Sequence, residues 1–238
     1  MNIALIGYGK MGKAIEAIAL QRGHQIVLKI DETNTDQFNA ENLAKADVAI
    51  EFTGPHSAFN NIVKLLQHHT PVVSGSTGWT DKLSEIEALV NQTDGSFVYA
   101  SNFSVGVNLF FELNKKLATL MAPHTSYAVS MEEIHHTQKL DAPSGTAITL
   151  AEGVMESLTR KKQWVNAASN NADDLVIISK REDPAPGTHS IKYSSSIDDI
   201  EIIHTAHNRE GFATGAVIAA EFVHNKKGIF GMKEVLGL

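Results

Sequence analysis

Asn2-Ile3-Ala4-Leu5-Ile6-Gly7-Tyr8-Gly9-Lys10-Met11-Gly12 begins as a short apolar run, passes through a glycine-rich turn and opens a helix. The run NIALI has the length and composition of a buried strand. From Lys10 to Arg22, the residues Met11, Ala14, Ile15, Ile18 and Ala19 share one helical face, and Gly23 stands where a left-handed residue commonly ends a helix. The turn fits G-x-G-x-x-G. That pattern is weak alone, but between a strand and a helix it lets backbone N–H groups approach a pyrophosphate while the helix start adds partial positive charge. An acidic residue for the ribose hydroxyls is then expected about 20 residues on. Asp31 stands 19 residues after Gly12, at the end of the apolar run Gln25–Ile30. Gly7, Tyr8, Gly9, Lys10, Met11, Gly12 and Asp31 are therefore candidate cofactor contacts. The competing reading is a turn that merely needs glycine. Asp31 would repel the 2′-phosphate of NADPH, whereas Lys10 and Lys13 would attract it, so both NADH and NADPH stay open.

Beyond this unit, strand and helix patterns alternate: strands at Asp47–Phe52, Pro71–Ser74 and Ser96–Ala100, helices near 56–68 and 81–91. Such alternation implies crossover units and a parallel sheet with helices on both faces. Ligands sit at the carboxyl ends of strands in such sheets. Thr53-Gly54-Pro55 and Gly75-Ser76-Thr77-Gly78, each following a strand, are thus expected to line the cofactor cleft. The pattern then changes. A helix over 107–121, a strand over 127–136, a helix over 147–160 and strands at 175–180, 190–196 and 200–206 indicate an α+β region with a mixed or antiparallel sheet. A last helix, 214–224, is read as packing back on the first region. The expected division is a nucleotide domain of residues 1–103 and 209–238 and a second domain of residues 104–208.

Composition removes several function classes. With 20 Lys and Arg against 27 Asp and Glu, the formal charge is −7. A general nucleic-acid binder needs the opposite surplus, and so does a protein held on anionic lipid by charge alone. There is no cysteine, which excludes disulfides, thiolate metal sites and cysteine nucleophiles. No apolar run approaches the roughly 18 residues of a membrane span. No signal-peptide pattern is evident at Met1, and the expected compartment is the cytoplasm.

The densest chemistry lies in Glu132-Glu133-Ile134-His135-His136-Thr137-Gln138-Lys139-Leu140-Asp141-Ala142-Pro143-Ser144-Gly145-Thr146. Neighbouring strand residues point to opposite faces, so His135 and His136 can share a point only if the strand ends there. The ligand spacings of zinc helices are absent, and no metal is expected. His135 offers a near-neutral proton donor and Lys139 a compact cation for a carboxylate. Pro143-Ser144-Gly145-Thr146 opens a helix, with Ser144 or Thr146 as its cap and free N–H groups as an anion site. A small dicarboxylate undergoing reduction suits this set; a solvated loop beside a capped helix is the bland alternative. His204 and His207, placed on the last strand of the second region, read as structural or rim residues, and His189 has no assignable role.

His135-His136-Thr137-Gln138-Lys139-Leu140-Asp141-Ala142-Pro143-Ser144-Gly145-Thr146-Ala147 resembles the H-H-x-x-K-x-D-A-P-S-G-T-A segment of the 4-hydroxy-tetrahydrodipicolinate reductase (dihydrodipicolinate reductase) family. Ala100-Ser101-Asn102-Phe103-Ser104-Val105-Gly106-Val107-Asn108 resembles that family's hinge, Gly75-Ser76-Thr77-Gly78 its cofactor loop, and Arg209, Phe212-Ala213 and Gly215-Ala216 its closing segment. The resemblance implies a Rossmann-like nucleotide domain plus an α+β domain for substrate and oligomerisation, and a homotetramer joined through the second domain's sheet. It implies an NAD(P)H-dependent reduction that loses water and forms tetrahydrodipicolinate, in lysine and diaminopimelate biosynthesis. By position, His135 resembles the proton donor and Lys139 its partner; His136, Ser144, Gly145 and Thr146 resemble substrate contacts. Gly75, Ser76, Thr77, Ala100, Ser101, Asn102, Phe103 and Arg209 resemble cofactor contacts, beside Thr53 from the loop after the third strand. Many members carry G-x-x-G-R-M-G; here the turn is one residue shorter and Lys10 stands where that Arg would be. Two other readings compete: a homoserine dehydrogenase-like reductase, and a non-catalytic NAD(P)H sensor.

Overall fold

The computed structural model describes residues 1–238. Its elements run β1 (Asn2–Ile6), α1 (Lys10–Gln21), β2 (Gln25–Ile30), α2 (Ala40–Leu43), β3 (Val48–Glu51), α3 (Ala58–Gln67), β4 (Val72–Ser74), α4 (Leu83–Thr93), β5 (Ser96–Tyr99), α5 (Val105–Met121), β6 (Ala128–His135), α6 (Gly145–Ser157), β7 (Gln163–Val165), β8 (Asp174–Arg181), β9 (Gly187–Ser194), β10 (Asp199–Ala206), α7 (Glu210–Val223), β11 (Gly228–Phe230) and α8 (Met232–Leu236). Two compact units result, Met1–Val105 with Glu210–Leu238, and Gly106–Arg209. Arg209 is thus the last residue of the second unit.

The first unit is built on a six-stranded sheet, ordered β11-β5-β4-β3-β1-β2, with every pairing parallel. Strands apolar at successive positions need cover on both faces. Ile3, Leu5, Val48, Ile50, Val73 and Val98 face one core with Ile15 and Ala19 of α1 and the alanine-rich side of α7. Ala4, Ile6, Ala49, Val72 and Phe97 face another with Ile62 and Leu65 of α3 and Ile86 of α4. The three-residue edge strand β11 and the short helices α2 and α8 carry too little periodicity to be read from sequence.

The second unit holds a five-stranded mixed sheet, β10-β9-β6-β8-β7. β6 runs parallel to β8 and antiparallel to β9. One face carries Val129, Met131, Leu175, Ile177, Ile191 and Tyr193, packed on Leu150 and Val154 of α6 and Phe110 and Ala118 of α5. No helix of the chain is long and apolar enough to cross a membrane. Three sequence expectations need correction. β6 stops at His135, so His136 lies outside the strand. α6 begins at Gly145, because the Ser144 hydroxyl accepts from the Ala147 N–H (3.2 Å) and makes Ser144 the cap. β10 ends at Ala206, so His207 is beyond it.

Candidate active site

The carboxyl ends of β1, β2 and β3 surround a cavity of about 640 Å³, where the sheet order changes direction between β2 and β3 on either side of β1. Gly7 has φ +99°, and a Cβ on it would sit 2.1 Å from the Phe52 carbonyl oxygen; one on Gly12 would sit 2.4 Å from the Gly7 oxygen. Backbone packing therefore demands glycine at both. A Cβ on Gly9 would meet nothing within 4 Å, and Gly9 lines the cavity at the start of α1, which has no side-chain cap. The N–H groups of Gly7 and Tyr8 are committed to the Ile30 carbonyl (2.9 and 3.0 Å). What remains for an anion is the first turn of α1. An open glycine beside an uncapped helix start, facing a cavity with an acidic residue just past the neighbouring strand, fits a nicotinamide dinucleotide.

Gly7, Gly9, Asp31 and Thr53 line that cavity. Asp31 Oδ1 accepts from the Thr33 N–H (2.8 Å) and hydroxyl (2.6 Å), which hold its carboxyl below the usual range. The Tyr8 hydroxyl donates to Glu16, and Lys29 lies 2.6 Å from Glu16 and 4.9 Å over the Tyr8 ring. Lys10 is exposed and Met11 packs on the core. Ser76 is buried behind Thr53, Gly75 is partly buried and Thr77 is exposed. The residue that sequence reasoning missed here is Glu51, 0% exposed. It accepts from the hydroxyls of Ser74 (2.6 Å) and Ser76 (2.8 Å) and the Thr53 N–H (2.9 Å), tying the loops after β3 and β4 together. In the 100–103 segment, Ser101 is exposed, the Asn102 side chain accepts from the Ser104 N–H (2.9 Å), and the Phe103 ring is buried 5.7 Å from Phe52. Phe103 is a core residue by its side chain.

The second cluster is a product of sheet register. On the helix-covered face, Glu133 of β6 is paired with Ser179 of β8 and His189 of β9, and His135 with Arg181 of β8. These residues gather at the strand ends, where α6 begins. Glu133, 0% exposed, accepts from the Ser144 N–H (3.1 Å to each oxygen) and the Ser179 hydroxyl (2.7 Å), with Arg181 Nη2 at 3.5 Å. His135 Nδ1 lies 3.4 Å and His189 Nε2 3.7 Å from the same carboxylate. The two rings cross edge to face at 5.1 Å, and His189 Nε2 is 3.2 Å from the Ser144 hydroxyl. Arg181 also donates to the carbonyls of Lys139 (3.3 Å) and Asp141 (2.6 Å), so it holds the loop that carries Lys139. Lys139 Nζ pairs with Asp141 at 2.8 Å. The His136 N–H is anchored to the Ala185 carbonyl (2.8 Å). Gly145 is exposed and unobstructed, and Thr146 is partly buried.

Burial would raise the Glu133 pKa, but hydrogen bonds from Ser144 and Ser179 bring it below the usual range. Burial pushes His135 down; Glu133 opposes this, while Lys139 and Arg181 add to it. The expectation of a near-neutral histidine is thus corrected downward. Burial, then the neighbouring His135, pushes His189 down to about 4. Glu133, His135 and His189 offer donor atoms within 4.8 Å of one another, a spacing open to a divalent metal. Yet Oε1 already accepts from Ser144 and Ser179 with Arg181 beside it, and that guanidinium would face any bound cation. Glu133, Arg181 and His189 were not assigned from sequence; only strand register could have signalled them.

A parallel sheet with a dinucleotide-type turn, joined to a mixed-sheet unit that gathers histidine, lysine and a helix start, defines a two-unit nicotinamide-dependent oxidoreductase. Residues 1–103 match the family model described as dihydrodipicolinate reductase, N-terminus, and residues 106–236 the one described as dihydrodipicolinate reductase, C-terminus. The chain belongs to the dihydrodipicolinate reductase family. It is 52% identical to the 4-hydroxy-tetrahydrodipicolinate reductase of Christiangramia forsetii, across 99% of this chain and 98% of the relative. It is 33% identical to that of Neisseria meningitidis, across 94% and 84%. Among solved structures it is similar to a dipicolinate-bound dihydrodipicolinate reductase from Paenisporosarcina, with a TM-score of 0.78 and 25% identity over 98% of each chain.

Proposed function

We propose that this chain reduces 4-hydroxy-tetrahydrodipicolinate to tetrahydrodipicolinate, with loss of water, in the cytoplasmic route to lysine and diaminopimelate. The observation that carries the reading is the gathering of His135, Lys139 and the open helix start at Gly145 around one strand end. A substrate with two carboxylates needs about two compensating charges. Lys139 and Arg181 provide cationic charge, and the first turn of α6 provides preorganised N–H groups that need little rearrangement as charge shifts. NAD(P)H, when bound, supplies the hydride; Gly9, the first turn of α1, Asp31 and Thr53 would hold it. His135 supplies the proton. It is neutral at rest, and the arriving dianion raises its proton affinity where the proton is needed. Family membership sets aside the homoserine dehydrogenase-like and sensor readings.

For the cofactor, we favour NADH. Asp31 and Glu32 both line the cavity and no Lys or Arg does, so a 2′-phosphate would meet negative charge from the cavity lining. For assembly, we propose a homotetramer joined through the second unit's sheet. Its face away from α5 and α6 carries Ile178 and Ile203, 36% and 59% exposed, beside the ion pairs Lys180–Glu132 and Lys192–Asp199.

The test is a coupled assay in which a synthase makes the substrate from pyruvate and aspartate semialdehyde, with NADH and NADPH loss followed separately. Oxidation of either is expected, with the higher kcat/KM for NADH. H135Q is expected to lower kcat by about 10²–10⁴-fold and leave NADH affinity unchanged. Absence of turnover with both cofactors overturns the function, and near-normal turnover of H135Q overturns the role of His135.

A further inference from the structure

We propose that Glu133 is a positioning residue for His135: it fixes the imidazole with Nδ1 inward and leaves Nε2 as the nitrogen that delivers the proton, a role that rests on the reading of His135 given above. Nδ1 of His135 is sealed from solvent and has no hydrogen-bond partner. Glu133 Oε2, 3.4 Å away, is the acceptor that faces it. The contact is longer than a formed hydrogen bond, as is common for catalytic pairs before substrate binds. Glu133 cannot turn away, because the Ser144 N–H and Ser179 hydroxyl hold it. The opposite edge of the ring is kept clear. Nε2 lies against Gly187, where φ is +157° and a Cβ would come within 3.1 Å of it. Glycine is the residue that puts no carbon on the nitrogen that must meet substrate. One carboxylate therefore orders both the proton donor and the helix start, since its Ser144 contact is at the cap of α6.

The charged and titratable groups facing His135 are Glu133 on its own strand, Arg181 from β8, His189 from β9, and Lys139 and Asp141 from the following loop. Of these, Glu133 is the strongest pull toward the protonated ring. In E133Q the amide oxygen must take the place of Oε1, which receives Ser179, so the amide NH₂ falls beside His135 Nδ1. An NH₂ there demands an acceptor and reverses the tautomer.

The test is histidine ¹⁵N–¹H correlation spectroscopy on the full chain, with the His135 signals assigned by their loss in H135Q. Wild-type His135 is expected as the Nδ1–H tautomer when neutral. E133Q is expected as Nε2–H, with kcat at least about tenfold lower, the alkaline limb of its pH profile moved to lower pH, and NADH affinity unchanged. E133D, which retains the charge, is expected to recover the Nδ1–H form. An Nε2–H tautomer in the wild type overturns the proposal without reference to E133Q, so a poorly folded E133Q does not shield it. E133Q with wild-type kcat and an unaltered tautomer overturns it too. Near-normal turnover of H135Q would instead remove the role of His135 as proton donor, and the wild-type tautomer would still decide the geometry.

Discussion

At the scale of single residues, the glycine turn separates two demands that the motif lumps together. Gly7 and Gly12 are glycines because other backbone atoms occupy the space of a side chain. Gly9 has open space and φ −87°, which alanine adopts freely. Gly12→Ala is expected to destabilise the chain by about 1–3 kcal/mol through backbone displacement. Gly9→Ala is expected to change stability by less than about 0.5 kcal/mol while weakening NADH binding, because its methyl would enter the cavity proposed for the cofactor. Denaturant titration and cofactor fluorescence titration check the pair. Wild-type NADH affinity in Gly9→Ala would remove this turn from the cofactor site. The glycines themselves were legible in sequence, as were Asp31, His135 and Lys139. Glu51 was not, since it lies inside an apolar run and its partners come from the loop after β3, the end of β4 and the loop after it.

At the scale of elements, β6, β8 and β9 share one polar end on an otherwise apolar face. Their residues 133, 179, 181 and 189 are neighbours only through pairing. This end makes stability depend on pH. His189 is 5% exposed and its pKa is about 4 in the fold against an ordinary value near 6.5. Between those values the unfolded chain binds more protons, so stability rises with pH across the window and levels off above it. Its amplitude is about 3 kcal/mol at about 1.4 kcal/mol per pH unit. Urea unfolding measured across that window is expected to show a slope of this sign, and His189→Gln is expected to reduce it, the remainder coming from His135, which burial shifts in the same direction. A slope unchanged in the variant would mean that another group carries it. The strand itself was readable from its alternating apolar pattern, but its partners were not: parallel and antiparallel neighbours look alike in a single segment.

At the scale of the whole molecule, the two sheets are covered differently. The first has helices on both faces, whereas the second has helices on one. The bare face is where assembly is proposed. Ile203→Lys places a charge on that face at the edge strand β10, and sedimentation is expected to show species smaller than a tetramer, with the fold retained by circular dichroism. An unchanged sedimentation coefficient would move the interface elsewhere.

Local patterning by itself determined the fold class: β1 to β5 are apolar runs between turn signals, and their alternation with helices implies a parallel sheet. It also placed the glycine turn and the histidine–lysine segment, because those rest on residues close in sequence. Tertiary structure alone decided that Glu133 meets Ser144, Ser179 and Arg181 and faces His135 and His189. That cluster spans strands separated by long stretches of chain, and only the register of their pairing puts side chains of the same face side by side.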